Sequence, residues 1–267
     1  MNVYLFELKM YKKSIIIWSA AIAFWIIFYM AFYPLIGGEG VDFDSIMSKF
    51  PKEFSALFGI NNDLPVSSVL GYFSLTFSMA QIPIAIQAAN YGFSSLSIEE
   101  RELTADFLLS KPIKRETIII SKFLAALTSL MIVNVFIWIS SIVAINMFKG
   151  DNVVSFDYVY ILLSSVIFFQ LFFLSLGMAI SVLIKKINSV LSFSMAFALG
   201  LYVVNSFALI FSSDVLGYIS PYSHFNPSYI LVEGHYHPIY TVISILVIIV
   251  SLFMSYFLYL RRNIHSL

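Results

Sequence analysis

The sequence predicts an all-α, polytopic membrane protein with six transmembrane helices and both termini in the cytoplasm. Three observations support this prediction: 60% of the 267 residues are hydrophobic, only 11% are charged, and the apolar residues form six long runs. Average soluble domains have roughly 25% charged residues. The composition therefore excludes an ordinary soluble domain.

Each of the six runs is long enough to cross the bilayer. A helix needs about 20 apolar residues to span roughly 30 Å of hydrocarbon, where only its own backbone hydrogen bonds are available. Apart from Lys122, near the start of the third run, none carries a charge. The first is too long for the core of a signal peptide, so we expect it to be retained. The predicted spans are 15–36, 66–96, 118–148, 158–184, 190–213 and 239–260.

The placement of charge predicts the orientation of these spans. With the N-terminus inside, twelve of the fifteen Lys and Arg residues lie on the inner side, and nine of the fifteen Asp and Glu residues lie in outer connections. Cytoplasmic loops collect Lys and Arg. Both termini are therefore expected in the cytoplasm. The net charge of zero argues against a nucleic-acid partner, and the absence of cysteine excludes disulfides and thiolate metal sites.

Residues 1–14 alternate apolar side chains with Glu7, Lys9, Lys12 and Lys13. This pattern is typical of a short amphipathic helix on the inner leaflet. A helical extension of the first span explains the same pattern, and the sequence leaves the two alternatives open.

The outer loop 214–238 contains three prolines and many aromatic residues, which favours short helices that dip back into the membrane as a re-entrant loop. It also holds His224, His235 and His237. His235 and His237, together with Glu233, offer three ligands for a metal. Spacing on an irregular loop fixes no geometry, so we predict interfacial histidines and no metal site.

The most informative soluble segment joins the second and third predicted spans. Acidic residues dominate its first turn, where the helix dipole favours them, and Pro112 ends the helical pattern. Leu103, Phe107 and Leu108 share one side at helical spacing. We predict a charged cytoplasmic helix over 98–112. The combination of acidic residues and an apolar stripe indicates a surface that binds another protein.

The order of residues in this segment also carries a family resemblance. It reads Glu99, Glu100, Leu103-Thr104, Leu108-Leu109-Ser110-Lys111-Pro112, Arg115 and Lys122. This order resembles the cytoplasmic signature of ABC-2 type permeases, the membrane subunits of ATP-binding cassette exporters. The family usually has Gly where this chain has Leu103. Ser220-Pro221-Tyr222 and Phe225-Asn226-Pro227, before the last span, match the wider pattern of the family.

The resemblance implies that 98–112 is a coupling helix docked on a separate ATPase subunit, which binds ATP and Mg. This chain is then not itself an enzyme, and it contains no phosphate-binding loop motif. A second permease copy or a sister permease, and the plasma membrane of a bacterium, are also implied. The implied coupling residues are Glu99, Glu100, Arg101, Glu102, Leu103, Thr104, Phe107, Leu108, Leu109, Pro112 and Arg115.

Polar residues within the spans are the remaining clue, because each is costly in lipid and usually faces protein or water. None of them is ionisable except Lys122, which argues against a self-powered ion-coupled transporter. Hydrogen bonding between helices explains such amides equally well. The candidate residues for a translocation path are Gln81, Pro83, Gln87, Asn90, Asn134, Gln170 and Asn205.

Two functions follow from these observations. The first is the permease subunit of an ATP-driven exporter, whose uncharged spans suit an amphipathic or lipophilic cargo such as an antimicrobial peptide or a drug-like compound. The second is a non-transporting membrane scaffold or signalling partner that recruits a cytoplasmic protein through the 98–112 helix.

Overall fold

The computed structural model describes residues 3–37, 44–45, 49, 51, 64–101, 114–184, 187 and 189–261, with the backbone alone for 96–101. All regular structure in this part of the chain is α-helical. In chain order the helices are α1 (Val3–Met30), α2 (Tyr33–Ile36), α3 (Val69–Arg101), α4 (Arg115–Phe148), α5 (Asp157–Leu183), α6 (Val190–Ile210), α7 (Asp214–Gly217), α8 (Pro221–His224), α9 (Pro227–Glu233) and α10 (Pro238–Arg261).

Six spans in these described ranges are long and apolar enough to cross a membrane, as predicted. They are α1 together with α2, then α3, α4, α5, α6 and α10. The first helix is longer than its predicted span because residues 3–14 form its opening turns. The N-terminal segment is therefore an extension of the span and not a separate interfacial helix. The break after Met30 precedes Pro34, whose nitrogen cannot donate the next helical hydrogen bond.

The bundle is centred on α3 and α5. In the most apolar window of each of these two helices 67% of the residues are buried, against 22% in α1 and α10. The other long helices surround this pair: α1 packs between α3 and α4, α6 packs on α3, and α10 packs on α5. Their outward faces carry large apolar side chains such as Ile17, Phe24 and Val250, which suits contact with lipid.

Glycine permits the close approach of the two central helices. A Cβ atom on Gly92 of α3 would lie 2.5 Å from the carbonyl oxygen of Leu174 in α5, and one on Gly177 of α5 would lie 3.2 Å from the carbonyl oxygen of Ala89. Small residues at such crossings allow helix backbones in membranes to come together. The α3–α5 contact is therefore backbone against backbone.

The connection between α6 and α10 (residues 211–237) holds three short helices. Proline occupies the first position of α8, α9 and α10, where its missing N–H is not needed. The Asn226 side chain caps α9 by accepting a hydrogen bond from the Tyr229 N–H at 3.1 Å. Gly234, with φ of +69°, ends α9 in the left-handed conformation that favours glycine. These local signals hold the connection in a compact form.

Candidate functional site: a closed end and an open cavity

The α6–α10 connection inserts into the bundle and bonds to buried backbone. Ser220 Oγ donates to the Leu201 carbonyl at 2.8 Å, and the Tyr222 hydroxyl donates to the Ala198 carbonyl at 3.3 Å. Ala198 lies twelve residues before Ile210, the end of α6, which is about 18 Å of helix at 1.5 Å per residue. The connection therefore reaches far into one end of the bundle.

Two of the predicted path residues meet this connection. Gln81 Nε2 of α3 donates to the Phe225 carbonyl at 2.8 Å, and Ser223 Oγ donates to Asn205 Oδ1 at 2.6 Å. Both amides line the same void of about 10 Å³, which has room for about one water molecule. In this conformation the connection fills the space between Gln81 and Asn205, and this end of the bundle is closed.

The other predicted path residues do not share that void. Gln87 and Gln170 are fully buried in α3 and α5, and both amide atoms of Gln170 lack a hydrogen-bond partner among the described residues. Asn134 is buried in α4. Pro83 lies inside α3, which continues through it although proline cannot donate to the Met79 carbonyl. These four residues are not among the described residues that line the void at Gln81 and Asn205.

Asn90 lies at the opposite end of the bundle, in a larger space. It lines a cavity of about 400 Å³ between α1, α3 and the start of α6, a size typical of small-molecule sites. Glu7, Tyr11, Ser14 and Tyr91 line the same cavity. It is hereafter called the α1–α3–α6 cavity. Among the described residues, the α6–α10 connection fills one end of the bundle and the α1–α3–α6 cavity lies at the other.

A buried ion pair borders this cavity. Lys122 Nζ of α4 lies 2.9 Å from Glu7 Oε1 of α1, and the two side chains are only 1% and 10% exposed, respectively. Charged side chains inside membrane proteins are expected to pair with one another. Tyr4 and Thr128 add a hydrogen bond of 3.0 Å between the same two helices. Glu7 and Lys122 therefore join α1 to α4.

His224 is buried in the α6–α10 connection as a neutral side chain. Its Nδ1 lies 2.6 Å from Ser244 Oγ of α10, its Nε2 lies 3.2 Å from the Tyr218 carbonyl, and its ring stacks on Tyr240. These partners fit an imidazole that donates from Nε2 and accepts at Nδ1. Burial lowers the pKa of His224 from 6.5 to about 4, and His237 nearby acts in the same direction. No group of side chains suited to holding a metal occurs within the described ranges.

We expect acidification to destabilise the chain through His224. In the unfolded chain the imidazole takes up a proton below about pH 6.5, whereas the folded protein resists protonation until about pH 4. The unfolded state thus binds more protons in this window, and stability falls as the pH drops from 6.5 to 4. His224→Gln should have a flatter profile of melting temperature against pH than wild type. The matched control is His235→Gln, at an exposed residue of the same connection, which should follow wild type.

Comparison with known families identifies the family of this chain. A family model described as "ABC-2 family transporter protein" matches residues 1–264, nearly the whole chain. The chain belongs to the ABC-2 transporter family. A comparison with curated proteins finds no match. The permease is accordingly a multi-pass membrane protein with a role in membrane transport. Permeases of this family are transmembrane components and are not themselves catalytic.

The predicted coupling residues of the permease are only partly described. Glu99, Glu100 and Arg101 belong to the last turn of α3, and residues 102–113, which include Glu102, Leu103, Thr104, Phe107, Leu108, Leu109 and Pro112, lie outside the described residues. Arg115 begins α4, and its Nη1 donates to the Leu260 carbonyl at the end of α10 at 3.4 Å. A cation at a helix C-terminus is favourable. Arg115 therefore joins α4 to α10 within the permease itself.

Sequence reasoning missed the residues that shape the permease's cavity. Glu7, Tyr11, Ser14, Tyr91 and Ser94 were not among the candidate site residues. One signal was available: Lys122 is a charge within a predicted span, and such a charge requires a partner. Glu7 is one of the six acids on the same predicted side of the membrane. The tyrosines and serines carried no comparable signal, because their pairing depends on the packing of α1 against α3.

Proposed function

We propose that this chain is the permease subunit of an ATP-driven exporter, powered by a separate ATPase subunit that binds ATP and Mg. It works with a second copy of itself or a sister permease in the plasma membrane of a bacterium. Membership of the ABC-2 transporter family over residues 1–264 is the observation that carries this proposal.

The geometry of the bundle supports a transport cycle in which access alternates. One end is filled by the α6–α10 connection, whereas the other holds the α1–α3–α6 cavity of about 400 Å³. With the N-terminus in the cytoplasm, as the charge placement predicts, the end with the cavity faces the cytoplasm. A closed outer end and an open inner end are what an exporter needs before it moves its cargo. Rigid-body motion of the helices then opens the outer end.

Gln170 supports a second arrangement of the central helices. Burying an amide without hydrogen bonds is costly, and both of its polar atoms lack partners among the described residues. The free-energy cost of the Gln170 amide is smaller in another conformation if water or an amphipathic cargo forms hydrogen bonds with it there. Gln170 thereby becomes part of the path when α3 and α5 separate.

The segment 98–112 is proposed to transmit the motion. Its first four residues are the end of α3, which runs to Arg101, and the chain leads from it to α4, which begins at Arg115. Both helices are long and pack within the bundle, so a force applied at this junction moves α3 and α4 directly. The acidic and apolar residues of this segment supply the surface for the ATPase.

Co-purification with the ATPase tests the proposal. The candidate ATPase subunit is co-expressed with tagged wild type or with the double variant Glu100→Arg plus Phe107→Ala. We expect the double variant to retain roughly tenfold less ATPase, because it reverses one charge and removes one large side chain of the proposed interface, where a few residues carry most of the binding energy. Vesicles that contain the wild-type complex should accumulate an amphipathic peptide only when ATP is supplied.

The matched control makes the same two changes at the other end of the bundle. Glu233→Arg plus Phe211→Ala alters an exposed acid and an exposed aromatic residue beyond α6 and should leave assembly unchanged. Equal assembly of all three proteins contradicts the coupling role. Assembly without ATP-dependent accumulation of any cargo instead supports the non-transporting scaffold.

A further inference from the structure

We infer that the α1–α3–α6 cavity is a binding site for an amphiphilic organic cation, the chemical class of cargo that this permease loads. The inference rests on the proposed function for its role in transport, but the binding site stands on its own geometry. Glu7, Tyr11 and Tyr91 recognise the cationic head, and an apolar tail leaves the cavity toward lipid.

Glu7 brings a carboxylate to the lining of the cavity. Glu7 lines it, whereas Lys122, only 1% exposed, stands behind the carboxylate and does not line it. Among the described residues that line the cavity, Glu7 is the only one with a formal charge. A carboxylate offers about four lone-pair positions, so its contact with Lys122 leaves acceptor capacity for a second cation.

Two aromatic rings complete the head-group site. Tyr11 and Tyr91 both line the cavity, with ring centroids 4.6 Å apart and planes tilted by 45°. The Tyr91 hydroxyl is held by a hydrogen bond of 3.1 Å to Ser14 Oγ, which fixes the position of the ring. Organic ammonium groups are attracted to the faces of such rings within about 6 Å. Aromatic rings beside a carboxylate favour a cation over an anion.

The exposed apolar part of the lining suits an apolar tail. Met10 of α1 and Leu191 of α6 line the cavity, and they are 46% and 50% exposed. A molecule whose head lies at Glu7 can therefore place its tail between these side chains without leaving an apolar surface. A small hydrophilic cation gains nothing from this part of the site.

Two probes of equal shape and opposite charge test the inference. Radiolabelled tetraphenylphosphonium and tetraphenylborate are bound to the full-length chain in lipid nanodiscs, and binding to empty nanodiscs is subtracted. We expect saturable binding of the phosphonium that exceeds binding of the borate by at least about tenfold, a difference of about 1.4 kcal/mol. This measurement needs neither ATPase nor transport. If the chain binds phosphonium but the complex transports nothing, the proposed export function is contradicted and the binding site is not. If the complex transports cargo but the chain does not bind phosphonium, only the binding site is contradicted.

The variants reverse the charge of the cavity while keeping the ion pair. Glu7→Lys with Lys122→Glu places the cation on the lining and the anion behind it. This exchange should lower phosphonium binding by at least about tenfold and raise borate binding. Tyr91→Phe keeps the ring and should bind nearly as wild type does, whereas Tyr11→Leu should bind more weakly. Melting temperature confirms that each variant is folded. Unchanged phosphonium binding by a folded exchange variant, or equal binding of both probes by wild type, overturns the inference.

Discussion

Replacing Gly92 with leucine is expected to destabilise the folded permease by about 3 kcal/mol, the upper end of what overpacking usually costs. A Cβ atom at this position would meet the Leu174 carbonyl oxygen at 2.5 Å and the Gly177 Cα at 3.0 Å. Both obstacles are backbone atoms that cannot rotate away. The central helices α3 and α5 must therefore separate along their contact.

The measurement is unfolding of the purified chain in mixed micelles, followed by tryptophan fluorescence. Gly200→Leu is the matched control, because Gly200 also lies inside a long helix but a Cβ there meets no atom within 4 Å. The control should be as stable as wild type or slightly more stable, since glycine is a poor helix former. Equal stability of the two variants would show that the close α3–α5 contact contributes little.

The six spans could be predicted because each rule behind them is local. Length, hydropathy and the absence of charge identify a spanning helix without knowledge of its neighbours. Five of the six helices begin and end within about five residues of the prediction, a margin usual for helix ends. The exception is α1, which continues to Val3 through charged turns. The charged residues before position 15 showed where the apolar run begins, but the helix itself begins twelve residues earlier.

The arrangement of polar residues could not be predicted, because it depends on which helix faces which. Gln81 and Asn205 come together only because the α6–α10 connection inserts between them. Asn90 is nine residues from Gln81 on the same helix, yet it lines a different cavity. Spacing within α3 gives the relative faces of these amides, but not the partner that each face meets. Gln81, for example, donates to the carbonyl of Phe225, 144 residues away in the chain.

The same limit applies to Lys122, whose partner Glu7 is far away in sequence. The sequence marked Lys122 as unusual, since it is the one charge within a predicted span. It did not show whether the side chain pairs, reaches the interface or faces water. The structure shows a pair with little solvent access. A stability measurement can therefore separate the roles of the two charges.

Lys122→Met alone is expected to destabilise the permease by about 3–5 kcal/mol, because it leaves the Glu7 carboxylate buried without its cation. Glu7→Leu alone should also be destabilising, since it removes the carboxylate that lies 2.9 Å from the buried Lys122 ammonium. Both side chains are at least 90% buried. Unfolding in mixed micelles measures each effect. Lys149→Met, the same substitution just after the end of α4, should change stability by less than about 0.5 kcal/mol.

The double variant Glu7→Leu plus Lys122→Met decides how the pair contributes. Well-packed apolar residues often replace a buried ion pair at no loss of stability, because the cost of removing two charges from water disappears with the charges. We therefore expect the double variant to be more stable than either single variant, with an interaction energy of about 3 kcal/mol or less in the cycle. If the stability losses of the two single variants add in the double variant, Glu7 and Lys122 stabilise the fold independently of each other. Recovery of stability together with loss of cation binding would show that the pair serves the α1–α3–α6 cavity more than the fold.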